Sequence, residues 1–212
     1  MPEIKQITIE DNEPFLRQIS KEVDLADPKL KDDIAILDEF CKWDLVLAMA
    51  AVQLGIPKRL VYLKNTNLEI IEKDQRDELN ESEKKYNERK ILINPVIISK
   101  EGLTEYWETC ASCLDNMGLV KRPYKIIVEY YDLDGIKHEE EFFGFPSTVI
   151  SHEIDHLDGI LHTDIAEEVI EMSYDDRKLF RQTHGYNIIS KTGSYDELLE
   201  GYKKKLLKSS NQ

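Results

Sequence analysis

The stretch Pro146-Ser147-Thr148-Val149-Ile150-Ser151-His152-Glu153-Ile154-Asp155-His156-Leu157-Asp158-Gly159-Ile160-Leu161 reads as one buried helix carrying two histidines. Proline suits the first turn, where its missing N–H costs nothing, and Gly159 falls near the end. Val149, Ile150, Ile154, Leu157, Ile160 and Leu161 leave only a narrow polar stripe, Ser147, Ser151, Asp155 and Asp158. A helix apolar nearly all round is a buried one. His152 and His156, at i and i+4, lie one turn apart on one face, so both imidazoles can reach one metal ion. Glu153 follows the first histidine and can reach water on that ion; this is the H-E-x-x-H spacing of metal hydrolases. An ordinary histidine pair is the bland alternative. Buried imidazoles and a buried carboxylate need partners, because uncompensated charge is costly, and a metal supplies one. Asp155, on the polar stripe, reads as a solvated or hydrogen-bonding residue rather than a catalytic one.

Two histidines leave such a site one protein ligand short. Downstream, His162, Asp164, Glu167 and Glu168 are weak candidates. Upstream, Trp107-Glu108-Thr109-Cys110-Ala111-Ser112-Cys113 offers two thiols, either of which could serve. If that stretch is extended, Cys113 points away from Cys110 and is a small core residue. Cys41 reads as core for the same reason of size and polarity.

Composition bounds the rest. The chain has 212 residues, 41% of them hydrophobic, which suits a single domain over 1–212. Acidic residues outnumber basic ones 42 to 28, and the formal charge of −14 argues against a DNA partner. Three cysteines are too few for a disulfide scaffold. Met1–Glu10 has no basic-then-apolar leader pattern, and no apolar run approaches ~18 residues. The expectation is a soluble, cytoplasmic protein with no membrane partner.

An amphipathic helix is expected over Asp32–Cys41, with Ile34, Ile36, Leu37 and Phe40 on one side. Strands are expected at Arg59–Leu63, at Ile91–Ser99 with Pro95 marking an edge or bulge, and at Tyr124–Leu133 and His138–Phe145 joined by Asp134-Gly135. From Glu69 to Lys90, 14 of 22 residues are charged; such a segment cannot bury a core face and reads as a surface insertion. Ser194-x-x-Glu197 is a capping box opening a terminal helix with Tyr195, Leu198, Leu199, Tyr202 and Leu206 on one face.

Taken with their order, these motifs resemble the peptide deformylases, whose three motifs run G-x-G-x-A-A-x-Q, E-G-C-L-S and H-E-x-D-H. The third is complete at His152–His156. The second keeps Glu108, Cys110 and Ser112, with Thr109 and Ala111 in place of Gly and Leu. The first is present as Val46-Leu47-Ala48-Met49-Ala50-Ala51-Val52-Gln53, with Val46 and Ala48 in place of both glycines. Gln53–Arg59, Ile93-Asn94-Pro95 and Gly118–Pro123 also look like the family, and the resemblance covers roughly Phe15–Asp164.

The resemblance implies hydrolysis of the N-formyl group of formyl-methionyl nascent peptides. It implies Cys110, His152 and His156 as metal ligands, with Fe²⁺ as the metal in the cell and Zn²⁺, Ni²⁺ or Co²⁺ as other occupants. Glu153 would be general acid and base, while Gln53 and the Ala111 backbone N–H would stabilise the oxyanion. Glu108, paired with Arg122, would support the ligands. Leu47, Ala48 and Thr109 would line the peptide, and Phe145 and Val149 the methionine pocket. Val46, Ala48 and Thr109 add Cβ atoms where the family has glycine, which is expected to reshape the cleft. Two other functions remain open: a different H-E-x-x-H amidase or protease, and a formyl-peptide binding module without turnover. Lys203, Lys204, Lys205 and Lys208 read as a solvated face, with ribosome contact as the alternative.

The expected fold is α+β. Antiparallel or mixed sheets, whose strands carry Gln53 and Cys110, pack around the buried His152–His156 helix, and a helical extension follows over 165–212.

Overall fold

A computed structural model describes residues 4–41, 46–64 and 89–209. The charged insertion at 69–90 therefore lies outside the described residues except for Arg89 and Lys90. The elements in chain order are α1 (Ile9–Leu16), α2 (Leu30–Cys41), β1 (Ala48–Ala50), β2 (Leu60–Leu63), β3 (Lys90–Thr109), β4 (Asn116–Arg122), β5 (Lys125–Tyr131) and β6 (Lys137–Phe143). Then come α3 (Phe145–Leu157), α4 (His162–Ile165), β7 (Val169–Glu171), α5 (Tyr174–Thr183), β8 (Asn187–Ser194) and α6 (Tyr195–Ser209).

The sheet is antiparallel and organised on β3, whose 20 residues serve several neighbours in succession. Its start pairs with β2, Leu60 opposite Ile93. Its middle pairs with β5, and the register shifts on both sides of Val96, so Pro95 marks a bulge as expected. Its end pairs with β4, Thr109 opposite Met117. β6 returns along β5 from the Asp134-Gly135 turn, where Gly135 sits at φ 75.

The uninterrupted burial of β2 follows from its place between two layers. Leu60 and Tyr62 pack with Leu37 and Cys41 of α2. Val61 and Leu63 face Ile150, Ile154 and Leu157 of α3. Alternate residues of a strand point to opposite faces, so a strand covered on both sides is apolar throughout. Among the described residues no helix is long and apolar enough to cross a membrane.

The α+β expectation holds, with corrections. α3 stops at Leu157, four residues before Leu161, because Gly159 takes φ 72 and the Asp158 and Gly159 amides close on Asp155 and His156. Of the polar stripe, Ser147 and Ser151 are buried while Asp158 is exposed; Ser147 Oγ donates to the Pro123 carbonyl at 2.8 Å. Gln53 and Cys110 are not within strands. Gln53 lies in a 3₁₀ turn, Ala51–Leu54, and Cys110 is the first residue after β3. The region after 165 is not only helical: β7 pairs with β4 and β8 with β3.

Candidate metal centre

Three separate pieces of backbone bring the site together. β3 ends at Thr109, and Cys110 keeps extended backbone (φ −136, ψ 133) before the 3₁₀ turn Ala111–Cys113. Cys113 is thus turned into the core by a helical turn, not by strand alternation; it is fully buried and its thiol is free. α3 starts after Gly144 at φ 68, with Pro146 in its first turn. It presents His152, Glu153 and His156 to the strand end. The 3₁₀ turn after β1 is closed by Gly55 at φ 82 and points Gln53 inward.

Ligand atoms of Cys110, His152 and His156 all lie within 4.8 Å of one another. Cys110 Sγ stands 3.2 Å from His156 Nε2. The two rings meet edge to face, with centroids 4.9 Å apart. His162, also buried, lies with its ring 5.6 Å from that of His152 but outside the ligand group. Of the other downstream candidates, Asp164 pairs with Arg17 and Glu167 with Lys121, and exposed Glu168 is outside the ligand group. One thiolate and two imidazoles, converging in a buried pocket, are donors suited to a divalent transition metal with an open coordination position. Glu153 Oε2 and His156 Nδ1 are buried without hydrogen-bond partners. Polar atoms in that state are costly unless something answers them.

The ligands are held from behind. Arg122 grips Glu108 with two bonds, Nε to Oε1 at 2.7 Å and Nη2 to Oε2 at 3.0 Å. Its third arm reaches Asp155, so that residue is a hydrogen-bonding one. Glu108 Oε2 stands 2.8 Å from His152 Nδ1, which turns the Nε2 edge of that ring toward the site. Gln53 Oε1 accepts from the Ala50 amide at 3.0 Å. Its Nε2 then donates to Cys110 Sγ at 3.4 Å and Ser112 Oγ at 3.1 Å. Ala111 opens its 3₁₀ turn, where the first N–H groups have no bond within the turn.

Charge follows this geometry. Burial alone would push the Glu108 carboxyl up, but Arg122 and His152 outweigh it and hold it well below 4.5. Burial likewise opposes protonation of His152, yet Cys110 and Glu108 outweigh it and raise the metal-free imidazole well above 6.5. His156, with burial dominant, is lowered. Burial lifts Glu153 to about 7, against the opposing pull of His152.

The predicted peptide and pocket residues divide. β1 pairs only with β2, so its other edge, beside Leu47 and Ala48, carries no strand among the described residues. Leu47 and Ala48 pack toward the α3 side, whereas Val46 packs with the α2 cluster. Val46 therefore fills core rather than cleft. Phe145 meets Tyr106 edge to face at 5.3 Å and Tyr186 at 5.7 Å; Val149 is half-buried beside the α3 core. Tyr106, Tyr186 and Arg181 were not among the residues singled out from sequence. Tyr106 lies four before Cys110 and was readable as a strand neighbour; the other two lie beyond the motifs.

The sequence model of the family described as polypeptide deformylase matches residues 4–171. A protein named peptide deformylase 2 of Clostridium acetobutylicum is 36% identical over 79% of this chain and 99% of its own length. The peptide deformylase of Finegoldia magna is 32% identical over 79% of this chain and 95% of its own. Among solved structures, a probable peptide deformylase from Synechococcus phage S-SSM7 is 30% identical and covers 77% of this chain and 99% of that one, with a TM-score of 0.63. With the three motifs and a buried Cys–His–His cluster in place, the chain belongs to the polypeptide deformylase family.

Proposed function

We propose that this metal-dependent deformylase removes the N-formyl group from formyl-methionyl peptides at the Cys110–His152–His156 cluster, with ferrous iron as the cellular metal. The observation that carries the reading is the convergence of these candidate ligands beside Glu153, whose Oε2 is buried without a hydrogen-bond partner. A divalent cation held by Cys110, His152 and His156 would supply Lewis-acid chemistry, favouring attack on the formyl carbonyl and acidifying nearby water. Glu153 takes a proton from the attacking water and returns it to the departing amine. Both transfers are needed, because an amide nitrogen leaves poorly as an anion. Burial raises the Glu153 carboxyl above its ordinary range in the metal-free site, which favours its holding the proton between the two transfers.

Gln53 Nε2 and the Ala111 N–H supply fixed donors for the oxyanion. Glu108 and Arg122 act through His152, holding its ring in place. The peptide main chain adds along the free edges at Leu47–Ala48 and Thr109, and Phe145, Val149 and Tyr106 wall the methionine pocket. The whole chain is read as one domain working in the cytoplasm. Contact with the ribosome through α6 is a separable proposal resting on exposed Lys203 and Lys204. It fails if salt-sensitive ribosome pelleting survives deletion of 195–212.

Formate release from a formyl-Met tripeptide tests the main reading. Turnover that disappears in Cys110→Ala supports it. Cleavage of internal peptide bonds by that variant points instead to another H-E-x-x-H hydrolase, and peptide binding without turnover to a non-catalytic homologue. Elemental analysis after anaerobic purification separates Fe²⁺ from Zn²⁺, Ni²⁺ and Co²⁺.

A further inference from the structure

We propose that Arg181 is a specificity-determining residue, and that its guanidinium recognises a carboxylate on the peptide downstream of the formylated methionine. This rests on the deformylase reading above.

Placement comes first. α5 lies beside the last turn of β3 before the metal ligand. Phe180 meets Trp107 edge to face at 5.2 Å, and Arg181 Nη2 donates to Thr109 Oγ1 at 2.7 Å. Trp107 and Thr109 point to one face of β3, Tyr106 and Glu108 to the other. Arg181 nevertheless also stands over the Tyr106 ring, 5.5 Å from its centroid. Its side chain therefore turns round the strand edge and reaches the ring that packs on Phe145.

That is the edge of β3 open to a peptide. β4 pairs with Thr104–Thr109 along one side of β3. β8 pairs along the opposite side but stops with Asn187 opposite Glu105. Among the described residues, Tyr106–Thr109 have no strand on that side. A peptide added there runs past Arg181.

Among the described residues, no carboxylate answers the charge of Arg181, which has only the Tyr106 ring beneath it. Every other described arginine has a carboxylate: Arg17 with Glu13 and Asp164, Arg59 with Asp158, Arg89 with Asp38, Arg122 with Glu108 and Asp155, Arg177 with Asp115. Arg181, among the described residues, has none within 4.0 Å, and its Nε is buried without a hydrogen-bond partner. In a chain of net charge −14 an arginine left without an acid is conspicuous, and a guanidinium fork takes a carboxylate with two parallel bonds. Thr109 gains a purpose as well. It stands where the resembled motif has glycine, and only a side chain there supplies the hydroxyl that holds Arg181.

The carboxylate has two sources, an acidic side chain at the second or third residue or the free α-carboxylate of a short peptide. The test compares kcat/KM of the metal-loaded protein on formyl-Met-Ala-Ala amide, formyl-Met-Ala-Ala with a free carboxylate, formyl-Met-Glu-Ala amide and formyl-Met-Ala-Glu amide. At least one carboxylate peptide is expected to exceed the neutral amide by about tenfold, mainly through KM and less so at high salt. Which peptide it is identifies the source. In Arg181→Gln that ratio falls to about one, Arg181→Lys retains part of it, and Lys203→Gln leaves it unchanged. Release of formate from all four peptides at similar rates, or a ratio that survives in Arg181→Gln, overturns the inference and leaves the deformylase reading standing. No release from any peptide overturns that reading and the inference with it.

Discussion

At the scale of single residues, the site divides into groups that act and groups that hold. On the proposed reading Glu153 acts, and its substitution would separate chemistry from binding. Glu153→Gln should keep one metal per chain while kcat falls by about 10²–10⁴-fold. Glu108 and Arg122 hold. Arg122→Met leaves the Glu108 carboxylate buried without its guanidinium, with only His152 beside it, and should cost about 3–5 kcal/mol of stability in denaturant unfolding. It should also weaken the metal about 10–100-fold through the loss of His152 orientation. The pH sign follows from Glu108. Its folded value is depressed, so its contribution to stability is present above 4.5 and is lost as pH falls below it. Thermal melts of the wild type taken downward from pH 5 should show that loss, and Arg122→Met should flatten it. These acting residues were legible in the sequence because spacing on one helix fixes which side chains share a face. The Glu108–Arg122 pair was reached only through the resemblance, since 14 residues and a strand turn separate the partners. The Arg122–Asp155 arm and the Arg181–Thr109 bond depend on tertiary placement, which no local pattern records.

Elements tell a similar story. α3 was legible as a buried helix, but its end was not, because Ile160 and Leu161 continue the apolar pattern past the real stop. The stop is Gly159, whose φ of 72 disfavours any residue with a Cβ and whose neighbour is the Arg17 carbonyl. Gly159→Ala should destabilise by more than about 1 kcal/mol, read as a lower Tm, with His156 perturbed enough to weaken the metal. β8 was missed for a different reason. Asn187-Ile188-Ile189-Ser190-Lys191-Thr192-Gly193-Ser194 is exposed along nearly its whole length, so no alternation of burial marks it. It is held by backbone pairing to Glu101–Glu105 and by α6, where Tyr195 Oη donates to the Lys121 carbonyl at 3.1 Å. Truncation after residue 186 should uncover that strand edge and promote self-association, measured by light scattering.

Across the whole molecule, a protein of net charge −14 is built round one buried cluster of a cysteine and two histidines. The expected absence of a disulfide framework fits three free, buried cysteines among the described residues, one of them in the ligand group. The metal should therefore be part of the fold as well as the chemistry. Chelation should lower Tm, and restoring the cation should raise it in proportion to the logarithm of its concentration. Protons compete for the same atoms. Because metal-free His152 holds its proton well above 6.5, binding should release protons and weaken as pH falls, an effect that calorimetry in buffers of different ionisation enthalpy detects. The fold class and the helix with its two histidines could be named from short patterns in the sequence, and Cys110 as the third candidate ligand from the resemblance. The way α5 and β8 frame the peptide edge could not, because it is set by contacts between segments some 80 residues apart.

The most direct measurement is formate release from a formyl-Met tripeptide by wild type and Glu153→Gln, with metal content determined on the same samples. Rapid turnover by wild type, a loss of at least about 100-fold in the variant and equal metal in both are predicted. Equal rates, or no release by fully metallated wild type, would contradict the assignment of this site to deformylation through Glu153.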